Sequence, residues 1–305
     1  MGRLEGRSAI VTGGGRGIGA AVARLLAAEG ASVVVADLGV AIDGSGHDPA
    51  PAAQVVREIE AAGGTAIAAP VDVSNHQDAE RLVREAVDTF GGLDVLVNAA
   101  GILRDRMIFN MSEDEWDAVI GVHLKGCFNT TKFASMHWRE RKKGDYRLIN
   151  FTSIAGLNGR PTGPNYAAAK MGVIGFTYSC ANALAPYGVT SNCISPAAMT
   201  RMADTIPDEL MQQYQSGPGG ASADAEINSP ESMVPAIAYL ASVESGWLNG
   251  RIIGAQENRI SLWTNPEIER QIVSPGPWEL DDVFDLVPQA FQATVEGIRR
   301  LNEAG

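Results

Sequence analysis

Residues 8–19 read Ser8-Ala9-Ile10-Val11-Thr12-Gly13-Gly14-Gly15-Arg16-Gly17-Ile18-Gly19, and the rest of the architecture is read outward from them. Ser8 to Val11 is a short apolar strand. The chain then turns on glycines. From about Gly17 to Glu29, Ala21, Val22, Leu25 and Leu26 recur at helical spacing. Strand, glycine turn and helix, in that order, are the context a dinucleotide fingerprint requires. The glycines permit a tight turn and close backbone approach. The helix start offers free N–H groups and the positive end of its dipole to a pyrophosphate. The competing reading is a plain glycine-rich turn, and the correct flanks speak against it.

Ser32 to Ala36 is a second apolar strand, and Asp37 stands at its carboxyl end, eighteen residues past Gly19. An acid near that spacing bonds the adenosine ribose hydroxyls. Its charge repels a 2′-phosphate, which favours NAD over NADP. Arg16 argues the other way, since a guanidinium beside the turn can meet a 2′-phosphate. Asp37 carries more weight because it holds the discriminating position.

Residues 38–53 are polar and rich in Gly, Pro and Ala, and read as a surface loop more mobile than functional. A helix from about Ala52 to Ala62 follows, then a strand from Ala66 to Val71 ending in Asp72-Val73. Gln77 to Phe90 is an amphipathic helix, and Leu93 to Val97 is a strand ending in Asn98-Ala99-Ala100-Gly101. Strands alternating with helices at this pitch predict an α/β fold with a doubly wound parallel sheet. Ser112-Glu113-Asp114-Glu115 is a capping box that opens a long helix carrying Trp116, Val119, Ile120 and His123 and ending near 139–143.

Leu148 to Ser153 reads as a buried strand ending at a hydroxyl. Thirteen residues later comes Tyr166-Ala167-Ala168-Ala169-Lys170 on a helix from about Asn165 to Ala185. Tyr and Lys four apart lie on one helix face. An ammonium beside a phenol favours phenolate, so the tyrosine can exchange a proton with an alcohol oxygen. Ser153 can hold the same oxygen. Alone, this spacing is weak, because Tyr and Lys recur at it on plain helix surfaces. Its company gives it meaning.

The chain has 305 residues, 45% of them hydrophobic, and a net charge of −12. That acidity argues against nucleic acid or an anionic membrane surface as partner. Cys127, Cys180 and Cys193 show no paired spacing and read as buried thiols of a reducing compartment, so a cytoplasmic location is expected. No residue cluster suggests a metal site. The N-terminus carries no apolar run of signal length, and nothing approaches a membrane span.

The chain continues with a strand from Thr190 to Ile194, then Ser195-Pro196-Ala197-Ala198-Met199-Thr200. Residues 201–229 have weak helical patterning that could form a lid. Pro230 opens another helix, and Arg251 to Ala255 reads as the last strand. The tail, residues 256–305, holds a Pro-rich part and then a helix from about Asp281 to Asn302. Val283, Phe284, Val287, Phe291, Val295 and Ile298 make an apolar stripe on it, expected to pack on the body or a partner subunit, with a kink or restart at Pro288.

Taken together, TGxxxGxG at 12–19, Asp72-Val73, Asn98-Ala99-Ala100-Gly101, Ser153 and Tyr166-x-x-x-Lys170 resemble the short-chain dehydrogenase/reductase family in order and spacing, over about residues 5–255. The loop after Asp37, Val122 to Gly126, and Ala198 to Met202 further resemble the 3-hydroxyacyl-CoA dehydrogenase part of peroxisomal multifunctional enzyme type 2 and its bacterial relatives. The resemblance implies a Rossmann-type domain over 1–255 with a C-terminal extension over 256–305. It implies Tyr166 as general acid/base, Lys170 as the group that lowers its pKa and holds the nicotinamide ribose, and Ser153 as the binder of the reacting oxygen. It places Gly13, Arg16, Gly17, Ile18 and Gly19 at the cofactor phosphates and ribose. Asp37 and Leu38 would hold the adenosine ribose, and Asp72 and Val73 the adenine. Asn98, Ala99 and Gly101 would line the cofactor cleft, with Pro196 and Thr200 at the nicotinamide end.

Two positions depart from the family. His123 stands where most members have Asn, at a site whose backbone carbonyl holds a relay water; the rival reading is a histidine that merely packs. Ala197 replaces a Gly, and Thr200 lies four rather than five residues past Pro196. The expectation is an NAD-dependent oxidoreductase of a secondary alcohol, with a 3-hydroxyacyl-CoA as favoured small-molecule substrate and a hydroxysteroid or other hydrophobic alcohol as alternative. A homodimer or homotetramer is implied by the family. The rival of a different class is a catalytically silent NAD-binding sensor on the same fold.

Overall fold

The computed structural model of the protein describes residues 2–142, 144–197, 229–256 and 258–303. Thr200 and the 201–228 stretch lie outside the described residues. The chain divides into two compact units, with the described residues up to Trp263 in the first and those from Thr264 in the second.

The first unit is built on one sheet. Its strands are β1 (Ser8–Thr12), β2 (Ser32–Ala36), β3 (Thr65–Ala69), β4 (Val95–Asn98), β5 (Tyr146–Phe151), β6 (Val189–Ala197), β7 (Ile252–Gln256) and β8 (Arg259–Trp263), in the order β3-β2-β1-β4-β5-β6-β7-β8. β1 to β7 are parallel, and β8 returns antiparallel on β7. Runs such as Ile10-Val11 and Val33-Val34-Val35 are apolar without alternation because both faces of a parallel sheet are covered. The covering helices include α1 (Gly17–Ala28), α2 (Ala50–Ala61), α3 (His76–Phe90), α4 (Glu113–Ile120), α5 (Gly126–Glu140), α6 (Ile154–Asn158) and α7 (Pro164–Leu184). Val11, Val33, Val35 and Val97 pack towards α1 and the helix Pro230–Ala241. Ile10, Val34, Leu96 and Leu148 pack on the other side with Leu82 and Trp138.

This strand order sets the position of the site. From β1 the chain winds out to β3 on one side, then crosses back to β4 on the other. A ligand crevice opens at such a switch, beyond the carboxyl ends of the strands. The glycine turn after β1, Asp37 after β2, Asn98 ending β4, Ser153 after β5 and Pro196 in β6 all lie at that edge.

The structure adds detail to the sequence reading at several places. The long helix from Ser112 runs unbroken to Glu140, with one π-helical turn, Gly121–Lys125, between α4 and α5 that contains His123. Such single wide turns carry no residue signature and accompany functional sites. The loop after Asp37 is tied down, with Leu103 N–H donating to Ile42 O (2.8 Å) and Arg104 Nε to Asp43 O (2.8 Å). β8 extends the sheet past Gln256, into residues read as tail. In the second unit the helix Leu280–Glu303 runs through Pro288 without restarting. Among its described apolar side chains Phe284 is 73% and Val295 63% exposed, while Val283 and Phe291 are half-buried.

Candidate active site

The glycine turn is fixed by close backbone contact. A Cβ on Gly19 would lie 2.1 Å from Gly13 O, and one on Gly13 would lie 2.8 Å from Ala100 Cα. Gly13 also has φ +66, a left-handed conformation that favours glycine. Thr12 Oγ1 accepts from Ala99 N–H (3.1 Å) and Ala100 N–H (3.2 Å), which lays the end of β4 against the turn. At the start of α1, Arg16 makes no side-chain cap and the first turn holds no acid. Those N–H groups and the dipole are therefore left to a ligand anion. Gly17 and the partly buried Ile18 form that first turn.

Asp37 sits directly beside the turn. Its carboxylate accepts from Gly15 N–H (2.8 Å) and Gly39 N–H (2.6 Å). Leu38 beside it is half-buried. Arg16 is drawn away into the 40–48 loop, donating to Val40 O (3.0 Å) and lying 3.5 Å from Asp48. Asp72 closes a turn on Ser74, and Val73 packs beneath Gly126, its carbonyl held by Asn129 Nδ2 (2.8 Å). Pro196 is half-buried in β6, in register with Ala255.

Ser153 is extended and caps α6, its Oγ accepting from Ala155 N–H (3.2 Å). Its hydroxyl stands near enough to the Tyr166 phenol to favour the phenolate. α7 opens on Pro164, and Asn165 fixes its first turn: Oδ1 accepts from Tyr166 N–H (2.7 Å), while Nδ2 donates to Arg104 O and Glu115 O (both 3.0 Å). Lys170, a turn further on, is buried. Its Nζ donates to Phe151 O (2.6 Å) and lies 5.6 Å from the Tyr166 ring centroid.

The electrostatics follow from burial. Desolvation pushes the Tyr166 phenol up, and the Ser153 hydroxyl and the Arg160 guanidinium oppose it. Desolvation also pulls Lys170 down to about 8. The two groups, nearly equal in basicity as free side chains, are thus pushed apart, the phenol upward and the ammonium downward. Lys170 was expected to be the main force lowering the phenol, but in this geometry its ammonium is turned to the Phe151 carbonyl.

His123 is buried. Its Nε2 lies 2.8 Å from Ile102 O and 3.2 Å from Ile102 N, and its ring meets Tyr166 edge-on at 5.1 Å between centroids. Burial and the Lys170 charge hold its pKa well below the ordinary value, so the ring is neutral. Nδ1 is buried with no partner. Gly101 has room for no side chain because a Cβ would strike His123 Cε1 at 2.4 Å. His123 thus sits between the loop after β4 and the Tyr166 ring.

The fold brings Gly13, Gly19, Asp37, Ala99, Gly101, Ser153, Tyr166, Lys170 and His123 to one edge. Asn98 is different: its Nδ2 donates to Asn150 Oδ1 (2.9 Å) and its Oδ1 accepts from Thr130 (2.7 Å), so the side chain ties the sheet to α5 internally. Sequence reasoning gave no role to Asn165 or Arg160. Asn165 had one signal, an amide at a helix start. Arg160 had none.

The sequence profile described as short chain dehydrogenase matches residues 7–210. The chain is 40% identical to "Hydroxyacyl-CoA dehydrogenase ChsB1" of Mycobacterium tuberculosis, over 90% of this chain and 84% of that protein. It is 40% identical to a 3-oxoacyl-[acyl-carrier-protein] reductase of Synechocystis, over 79% of this chain and 92% of that one. A crystal structure of a short chain dehydrogenase from Mycobacterium avium superposes with TM-score 0.82 at 41% identity, covering 95% of this chain and 96% of that one.

Proposed function

The chain belongs to the short-chain dehydrogenase family, an oxidoreductase family that uses a nicotinamide cofactor, and on that premise we propose an NAD-dependent dehydrogenase that interconverts a 3-hydroxyacyl-CoA and its ketone. One observation carries the reading: Tyr166 stands beside the Ser153 hydroxyl with the buried Lys170 ammonium 5.6 Å from its ring centroid, at the same sheet edge as an uncapped helix start. Such a constellation has no use in a silent sensor.

The residues fit the cofactor. A diphosphate needs the close approach that Gly13 and Gly19 leave open and the N–H groups that α1 leaves uncapped. Gly17, Ile18 and Ala99 border that cradle. Asp37 and Leu38 take the adenosine ribose, Asp72 and Val73 the adenine, and Gly101 and Pro196 the nicotinamide end. When bound, NAD supplies the hydride acceptor. The chain does the rest. Ser153 holds the reacting oxygen, and the Tyr166 phenol gives that oxygen its proton as the carbonyl carbon is reduced, the reverse step requiring the phenolate. Lys170 holds positive charge against the developing phenolate. His123 keeps the Tyr166 ring in place.

A 3-hydroxyacyl thioester is favoured because hydroxyacyl-CoA and 3-oxoacyl carriers name the relatives. A hydroxysteroid is the alternative, and a panel separates them. NADH absorbance is followed with a 3-hydroxyacyl-CoA and with a hydroxysteroid. Turnover of the steroid alone would overturn the substrate assignment, and turnover of neither would overturn the dehydrogenase.

NAD is preferred because Asp37 stands beside the turn while Arg16 is held by Val40 and Asp48. Wild type should show higher kcat/KM with NAD than with NADP, and Asp37→Ala should narrow the ratio about tenfold or more, since a charge-assisted hydrogen bond contributes about 1.5–3 kcal/mol. Equal efficiency in the unmutated protein would refute this. Buried free thiols at Cys127, Cys180 and Cys193 support a reducing, cytoplasmic setting. Among the described residues no helix is long and apolar enough to cross a membrane. The exposed apolar residues of β8 and of the helix Leu280–Glu303 support assembly into a homodimer or homotetramer.

A further inference from the structure

We propose that Arg160 binds substrate: its guanidinium holds the thioester carbonyl oxygen of a 3-oxygenated acyl chain while Ser153 and Tyr166 hold the reacting oxygen. This rests on the dehydrogenase reading above and names the residue that would select its substrate class.

Arg160 lies in the short link between α6 and α7, just ahead of the Tyr166 helix. Its guanidinium carbon stands 6.0 Å from the Tyr166 ring centroid. Asp105, in the loop after β4, takes Nη2, and Thr162 Oγ1 lies 3.4 Å from the same nitrogen. The ion pair thus joins the two loops that border the Tyr166 side of the cleft. Among the described residues Nη1 and Nε of Arg160 have no hydrogen-bond partner, so the fork is anchored at one nitrogen with its other donors unused. The anchoring is one-sided on the acid as well, since Asp105 Oδ1 is buried without a partner.

A guanidinium offers planar paired donors to oxygen acceptors, and held in place it loses little entropy on binding. In a 3-hydroxyacyl thioester the hydroxyl and the carbonyl oxygen are on carbons two apart, so both can face one side of the site. With one oxygen on Tyr166, the other falls towards the neighbouring cation. An alcohol without that carbonyl leaves the guanidinium edge unpaired. Sites built to pair a polar group reject analogues that lack it.

The test uses the full chain and two probes, 3-hydroxybutyryl-CoA and its thioether analogue S-(3-hydroxybutyl)-CoA, which lacks only the carbonyl oxygen. Affinities are read by competition, with KM and kcat for the thioester. Wild type should bind the thioester about ten- to a hundredfold more tightly than the thioether, the worth of a hydrogen bond to a charged group. Arg160→Gln should lose most of that ratio, with the thioester KM raised by the same factor and the NAD KM within about twofold. Arg160→Lys should recover only part, because it restores charge without the fork. A purely structural ion pair would weaken both probes alike, or alter kcat and the NAD KM. No thioester preference in wild type, or an unchanged ratio in Arg160→Gln, overturns the assignment. Tight, selective binding without turnover would instead count against the dehydrogenase reading alone.

Discussion

Tyr166→Phe should abolish turnover, to below a hundredth of wild type, while NAD binding stays within about twofold. The substitution keeps the ring and loses only the phenol oxygen. The ring contacts of Tyr166 are with the edge of His123 at 5.1 Å, the Lys170 ammonium at 5.6 Å and the Arg160 guanidinium at 6.0 Å, all of which Phe can retain. Packing and fold should therefore survive. General acid–base groups contribute about 10²–10⁴ in rate. Cofactor titration and steady-state turnover on the same preparation separate the two effects. Activity above a tenth of wild type would remove Tyr166 from the chemistry.

The second large effect is the converse, a loss of cofactor without damage to the Tyr166 constellation. In Gly19→Ala the new Cβ would lie 2.1 Å from Gly13 O and 3.3 Å from Gly14 Cα. The obstacle at 2.1 Å is backbone, which cannot rotate away as a side chain can. The turn must separate from the helix start, and it is their joint shape that admits a diphosphate. A misplacement of about 1 Å costs on the order of 10² in a preorganised site. The NAD dissociation constant should rise by about that factor, and the strain should lower the melting temperature by several degrees, as overpacking costs about 1–3 kcal/mol. Gly175→Ala serves as the contrast, since a Cβ there meets nothing within 4 Å in α7. It should leave NAD binding unchanged and stability equal or higher. Equal NAD affinity in Gly19→Ala and wild type would show that the turn does not carry the cofactor.

The two substitutions also mark how unevenly the site could be read in advance. Gly13, Gly19, Asp37, Ser153, Tyr166 and Lys170 are legible because each motif is local: a turn, a strand end or one helix face places the residue by spacing alone. Parallel strands were legible for the same reason, since Val33-Val34-Val35 has no polar face to alternate with. Asn98 misled because its motif gives a position at the cleft but not a direction. Its amide turns inward to Asn150 and Thr130, which come from other elements.

The sequence by itself determined the fold class and the sheet edge at which the motifs meet, because those follow from short-range periodicity and turn chemistry. Only the tertiary structure decided what surrounds them. The π-helical turn that aims His123 at Ile102 and Tyr166 has no residue signature. The same holds for Asn165, which joins Arg104 and Glu115, and for Arg160, which pairs with Asp105 fifty-five residues away. Burial, too, is a property of the packed whole. It moves Lys170 down to about 8 and raises Tyr166, although the YxxxK spacing alone pointed to a lowered phenol. Desolvation depends on every element that closes over a group, and that closure exists only once the strands are laid side by side.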